Sequence, residues 1–272
     1  MGTNLDDHEA VRKMAEEAFK KGGSTGLTEF VTKKLNEWRE VHVNIAVVGE
    51  SGAGKSAFIN TIRGIQKGEK GFAKVGVTEY TQTPKSYPFP ENALINLWDL
   101  PGAGTDKFKA DEYTTKMKFS TYDAFIILSS ERFTEIDTML AKEIQKLNKP
   151  FFFARTKMDN AMRDEKRNNK KSFKASSTSQ QIRADCEEQL GEDHKERIFL
   201  IANLLDDDLK EEFTEEKYPD IKFENEDLTK AIAVALPKLQ RQALGEEIFC
   251  YVYSQLLGAF LKRKTKMDEG IF

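Results

Sequence analysis

At 272 residues and a formal net charge of −3, the chain can bury one large core plus an appendage, and it has no overall positive field to attract nucleic acid. Cys186 and Cys250 lie far apart without metal-site spacing and read as packing residues of a soluble, cytoplasmic protein. No run reaches the roughly 18–20 apolar residues of a membrane-spanning helix, none follows the start as a secretory signal would, and Asp6 stands where a myristoylation signal has Ser or Thr.

In chain order, residues 6–20 predict an amphipathic helix with Val11, Met14, Ala15, Ala18 and Phe19 on one face. Lys21-Gly22-Gly23-Ser24-Thr25-Gly26 breaks it, and a second helix capped near Thr28 carries Phe30, Val31, Leu35 and Trp38. From about 42 to 206, strands alternate with helices. The strands are Val43–Val48, a short one near Lys85–Phe89, Leu94–Trp98, Ala124–Ser129, Phe151–Arg155 and Ile198–Ala202. Short apolar strands separated by helices predict an α/β fold, with a largely parallel sheet covered on both faces. Ligands then sit at the carboxyl ends of the strands. Residues 1–41 and 237–272 are expected to form a small helical part from both termini, around a nucleotide-binding domain at 42–236.

The first strand leads into Gly49-Glu50-Ser51-Gly52-Ala53-Gly54-Lys55-Ser56, the G-x-x-x-x-G-K-[ST] phosphate loop, with Ala57, Phe58, Ile59 and Ile62 continuing as a helix. The glycines let the backbone wrap close and turn its N–H groups on phosphate oxygens. Lys55 supplies a point charge for the β- and γ-phosphates. Ser56 offers a hydroxyl to Mg²⁺ and opens a helix whose dipole favours anions.

Two further strand ends complete the pattern. Leu94–Trp98 runs into Asp99-Leu100-Pro101-Gly102, an Asp placed to hold Mg²⁺ and a Gly whose N–H reaches the γ-phosphate. Phe151–Arg155 runs into Thr156-Lys157-Met158-Asp159, a form of the guanine-reading [NT]-K-x-D motif. Guanine presents two adjacent donors, N1–H and the 2-amino group, that one carboxylate can accept together, and adenine presents no such pair. An unpaired buried carboxylate is costly, so Asp159 selects GTP or GDP over ATP. Asn203, behind Ala202 at the last strand end, is expected near the base, with the Ala202 N–H meeting the guanine O6.

Together these motifs resemble the immunity-related, interferon-inducible GTPases, a P-loop NTPase (Ras-like) family. The likeness extends to Gly54-Lys-Ser-Ala-Phe-Ile-Asn-Thr-Ile-Arg-Gly64, Trp98-Asp-Leu-Pro-Gly-Ala-Gly-Thr105, Lys116-Met117-Lys118-Phe119 and Tyr122-Asp-Ala-Phe-Ile-Ile127. It continues through Arg132-Phe133-Thr134, Arg155-Thr156-Lys157-Met158-Asp159, Lys171-Ser172-Phe173 and Ile198-Phe-Leu-Ile-Ala-Asn203, and so spans about residues 28 to 245. The resemblance implies GTP hydrolysis with Mg²⁺, self-association through the nucleotide face, and peripheral action at intracellular membranes. It also implies that Thr81 is the switch threonine completing the Mg²⁺ shell, and that Glu79 acts across a dimer to activate hydrolysis. Spacing alone leaves Thr78 and Thr83 open for the hydroxyl's role. Family members have a longer C-terminal helical region and usually a Ser where this chain has Ala202.

Ala103 stands where Ras-like enzymes carry a water-positioning Gln, so basal turnover is expected to be slow. This residue and the short tail favour a rival reading, a nucleotide-gated membrane or oligomer scaffold with negligible turnover. Residues 160–180 read as a basic surface loop that could also meet acidic lipid head groups. Asp206 to Lys217 reads as a charged surface segment whose Asp206-Asp207-Asp208 is a solvated loop rather than a metal site. After Pro237 the chain reads as helical to the end. Its apolar stretch around Ile248 to Leu261, followed by Lys262-Arg263-Lys264, is either a core helix or an interfacial one.

Overall fold

Six strands assemble in the order β2-β3-β1-β4-β5-β6: β1 (Val43–Val48), β2 (Lys85–Phe89), β3 (Asn92–Asp99), β4 (Ala124–Ser129), β5 (Phe151–Arg155) and β6 (Ile198–Leu200). This computed structural model describes residues 5–39, 42–76, 81–90, 92–104, 110–203, 212–214, 216–218 and 220–244. β1 pairs parallel with β4, as do β4 with β5 and β5 with β6, while β2 runs antiparallel along the edge of β3. Every residue of β4 and β5 is buried, which explains their unbroken apolar runs: a strand covered on both faces has no solvent side to alternate with. β3, nearer the edge, alternates more and less buried positions along its length.

The chain divides into two compact units, Met1–Val43 with Ala235–Phe272, and Asn44–Val234. Within the second, α2 (Lys55–Arg63), α3 (Ala110–Lys116), α4 (Glu135–Lys146), α5 (Met158–Asn168) and α6 (Ala175–Leu190) follow the strands, and α7 (Asn225–Leu244) begins there. The main core gathers Leu100, Tyr113, Phe119, Phe125, Ile127, Leu140 and Phe153. Each such side chain contributes about 1.5–3 kcal/mol on burial. α4 starts on a capping box, where the Thr134 hydroxyl accepts from the Asp137 N–H and the Asp137 carboxylate accepts from the Thr134 N–H. That reciprocal pair accounts for Thr134 in the Arg132-Phe133-Thr134 motif.

Several expectations change at element ends. The two N-terminal helices are separated as expected, by a kink at Gly23 (φ 59°) within α1 (Leu5–Arg39). Thr28 does not cap a helix; its hydroxyl donates to the Ser24 carbonyl from inside one. Of the expected apolar face, Ala15 is buried, but Met14 and Phe19 are 50% and 53% exposed. β6 stops at Leu200 because the next groups find other partners: the Ile201 carbonyl accepts the Met158 N–H at the start of α5, and the Ala202 N–H donates to the Asn225 side chain. Residues 160–180 are mostly helix rather than loop, since Met158 and Met162, one turn apart, bury against Phe213 and Tyr218. The same cluster draws part of the charged segment 206–217 into a small second core. α7 begins well before Pro237. Asp206-Asp207-Asp208, Cys250, the apolar stretch after 245, Thr78 and Glu79 lie outside the described residues.

α2 also fixes one wall of the cleft above it. Asn60, fully buried, donates to the Ala73 carbonyl and accepts from the Ala73 N–H, both at 2.8 Å. Arg63 adds bonds to the carbonyls of Gly71 and Pro88 at 2.9 and 3.0 Å. Residues 74–76 therefore leave a pinned point. Each buried polar group left unpaired costs about 1–3 kcal/mol, so Asn60→Ala should destabilise the protein by about 2–5 kcal/mol. The expected readout is a lower urea midpoint at unchanged slope.

Candidate active site

The phosphate loop emerges from β1 in a shape that only its own sequence permits. Gly49 has φ 146°, and a Cβ there would lie 2.2 Å from the Leu128 carbonyl oxygen. The loop is tied behind by Thr156, whose buried hydroxyl donates to the Ala53 carbonyl at 2.8 Å. Across from it, a Cβ on Gly102 would fall 2.6 Å from the Ser51 backbone, so no larger residue could let the Asp99–Gly102 turn lie so near the loop. Tyr113 holds that turn from below by donating to the Pro101 carbonyl at 2.6 Å.

Lys55 is buried, and its ammonium donates to the loop's own carbonyls, Glu50 at 2.8 Å and Gly49 at 3.2 Å. Next to it the three expected metal-binding residues converge. The hydroxyls of Ser56 and Thr81 both donate to Asp99 Oδ2, at 2.6 and 3.0 Å. Thr83 is exposed and makes no such bond to Asp99 among the described contacts. Asp99 is 1% exposed, and its Oδ1 is buried without a hydrogen-bond partner. Burial raises its carboxyl above the ordinary range, against the opposing pull of the Ser56 and Thr81 hydroxyls and the Lys55 charge.

This donor set fits Mg²⁺. It consists of hard oxygens only, has one carboxylate with an uncommitted buried oxygen, and has two hydroxyls positioned on the same atom. No group of three or more His, Cys, Asp or Glu side chains able to hold a metal occurs among the described residues. A single carboxylate is what suits an ion that takes most of its remaining ligands from phosphates and water.

A cleft of about 630 Å³ runs from this point along the strand ends. Ser51, Gly52, Gly54, Lys55, Ser56, Thr81 and Gly102 line it. Lys157, Asp159 and Asn160 line it too, with Asn203. Lys157 caps α5 in the left-handed region, φ 55°, a conformation costly for a side-chain-bearing residue. Asn203 lies over the loop, its amide nitrogen 3.2 Å from where a Gly54 Cβ would stand, and its Oδ1 is buried without a partner.

Six of the expected contacts, Gly49, Glu50, Ala53, Asp99, Thr156 and Ala202, are not among the residues lining that cleft. Thr156 points into the protein and serves as the loop's tether. Glu50 and Ala53 line a separate cavity of about 180 Å³ with Ser129 and Asp137, and the Ala53 N–H is used inside the loop on the Glu50 carbonyl. The Ala202 N–H is not available to a base: Asn225 accepts it at 3.2 Å and returns a bond to the Ala202 carbonyl at 2.8 Å. Conversely, Lys74, Val75, Gly76 and Asn160 line the cleft unforeseen. Arg163 binds Asp159 at 3.2 Å, and its spacing of four residues on a helix was the available signal.

The profile described as Interferon-inducible GTPase (IIGP) matches residues 8–218. The chain belongs to this family. T-cell-specific guanine nucleotide triphosphate-binding protein 2 of Mus musculus is 42% identical over 176 residues, 64% of this chain and 42% of that protein. Interferon-gamma-inducible GTPase 10 of Mus musculus is 38% identical over 191 residues, 70% of this chain and 46% of its own. The chain therefore spans less than half the length of these family relatives. Among solved structures, the LeoA bacterial dynamin GTPase from ETEC matches with a TM-score of 0.51 at 16% identity, over 94% of this chain and 46% of that one, a likeness of fold.

Asp99 generates a stability prediction. A carboxyl whose folded pKa is raised contributes stability below the ordinary carboxylate range and loses it as pH rises through the folded value. Asp99→Asn keeps an acceptor for Ser56 and Thr81 but buries no charge. Without ligands at neutral pH it should melt about 2–6 °C above the wild type, with the difference vanishing in acid. Differential scanning fluorimetry across pH in EDTA measures this.

Proposed function

We propose that this chain binds GTP with Mg²⁺ and hydrolyses it to GDP. The observation that carries this reading is the convergence of Ser56 and Thr81 on a buried, half-unpartnered Asp99, beside a cleft that Asp159 and Asn203 also line. Family membership supports the same substrate. Lys55 would exchange its loop carbonyls for phosphate oxygens, neutralising charge that builds as the γ-phosphate is attacked. The Gly102 N–H, held against Ser51, would meet the γ-phosphate, and Asp159 would accept the guanine N1–H and 2-amino donors. Ser56 and Thr81, with Asp99 behind them, would hold Mg²⁺, which would supply stabilisation of the negative charge that develops in hydrolysis.

Self-association is part of the proposal. Glu79, in the segment just before Thr81, would act on the nucleotide of a second copy, as the family resemblance implies. Residues 1–41 and 237–272 would form a helical part separate from the 42–236 domain, and the protein would act in the cytoplasm at the surface of intracellular membranes. No helix among the described residues is long and apolar enough to cross a membrane. A second reading, a nucleotide-gated scaffold with negligible turnover, draws on Ala103. Its side chain is a buried methyl and its N–H donates to the Gly49 carbonyl, so it cannot orient water.

Phosphate release per protein measured against protein concentration separates the two readings. The enzyme gives a specific activity that climbs with concentration; the scaffold gives a flat line near zero. Lys55→Ala should abolish turnover. Glu79→Ala should keep GTP affinity within a few fold and lose the climbing part, a loss of about 10²- to 10⁴-fold for a positioned activating group. In the same cleft, Asp159→Asn should weaken GTP binding by orders of magnitude and admit xanthosine nucleotides, whose 2-oxo group the Asn amide can donate to.

A further inference from the structure

Asp159 does not stand alone in the cleft. Arg163, one turn along α5, donates through Nη1 to Asp159 Oδ2 at 3.2 Å and to Asn160 Oδ1 at 2.7 Å. Its other two nitrogens form a fork on Glu212, Nε to Oε1 at 2.8 Å and Nη2 to Oε2 at 2.9 Å. The guanidinium also lies over the Phe213 ring, 5.0 Å from its centroid. Phe213 in turn packs with Met158 and Met162 of α5. One planar cation thus joins the two cleft-lining residues of α5 to a segment about 50 positions later in sequence.

We propose that Arg163 is a positioning residue for base selection, fixing the Asp159 carboxylate so that it accepts guanine N1–H and the 2-amino group together, with Glu212 balancing the guanidinium charge. This rests on the guanine reading given above. Two features support it. Asp159 Oδ2 spends one lone pair on Arg163, which stops the carboxylate from rotating and leaves its second lone pair and Oδ1 to accept from a ligand. A paired arginine would otherwise compete with the base by closing on the carboxylate in a bidentate pair. Glu212 occupies the fork instead, so Asp159 receives only a single bond and keeps its negative field toward the cleft. The hydrogen bonds between them raise the Arg163 guanidinium and lower the Glu212 carboxyl, so both stay charged.

Inosine diphosphate lacks the 2-amino group and reports this geometry directly. Equilibrium titration of the full chain with GDP, IDP and ADP is the experiment, in wild type, Arg163→Met, Arg163→Lys and Glu212→Gln. The wild type should prefer GDP over IDP by about 10- to 100-fold, the worth of one hydrogen bond to a charged group. Arg163→Met keeps packing over Phe213 but has no donor, and its GDP/IDP ratio should fall to within about threefold as the second bond is lost. Arg163→Lys keeps the charge without the fork and should fall between the two. Glu212→Gln should lower the ratio without lowering the melting temperature by more than a few degrees. Were Arg163 only a structural brace, the variants would weaken GDP and IDP equally at an unchanged ratio, and that result overturns the proposal. An unchanged ratio in Glu212→Gln, the variant least able to disturb folding, overturns it as well. A wild type that binds ADP as well as GDP would instead sink the guanine reading itself.

Discussion

The arrangement turns on one carboxylate taken out of water. Asp99 is nearly inaccessible, one of its oxygens has no hydrogen-bond partner, and Lys55, the cation whose charge acts on it most, is bonded to loop carbonyls. An uncompensated buried charge costs several kcal/mol. Two hydroxyls on Oδ2 offset part of that cost, and the remainder stays as a demand for positive charge. The sheet places this demand where the chain can answer it: at the end of β3, beside β1 and directly beneath the loop that precedes α2.

Rigidity around the site comes from contacts that link strand ends to one another. Thr156 at the end of β5 fastens the loop that follows β1. Tyr113 fastens the turn after β3, and Asn60 fastens the chain that leads toward Thr81. Asn225 on α7 fastens the turn after β6. Each is a side chain bonded to a backbone group of a different element. The cleft is therefore preorganised by the same core that makes the sheet, and little ordering remains to oppose ligand binding.

The strands were legible because a sheet covered on both faces leaves continuous apolar runs, and the loop, Asp99 and Asp159 were legible because their spacing is local. What sequence left out depends on contacts between distant segments. Thr156 belongs to a recognisable motif, yet nothing in that motif says its hydroxyl turns back to Ala53. The Ala202 N–H looked available because Asn225 is 23 positions away in sequence. Residues 160–180 read as loop on polarity, but two methionines one turn apart were enough to anchor a helix once Phe213 and Tyr218 arrived from farther along the chain. Arg163 was visible only as one of several basic residues until Glu212 came beside it.

The central claim is that the cleft takes guanine nucleotide and Mg²⁺ as a single coupled site. Isothermal titration of a non-hydrolysable GTP analogue, with Mg²⁺ and with EDTA, beside the matching ATP analogue, tests it most directly. The structure predicts tight binding of the GTP analogue that weakens by about 100-fold or more without the cation, consistent with loss of several kcal/mol of charge stabilisation, and no measurable binding of the ATP analogue. Affinity that ignores Mg²⁺, or that is equal for the two bases, would contradict it.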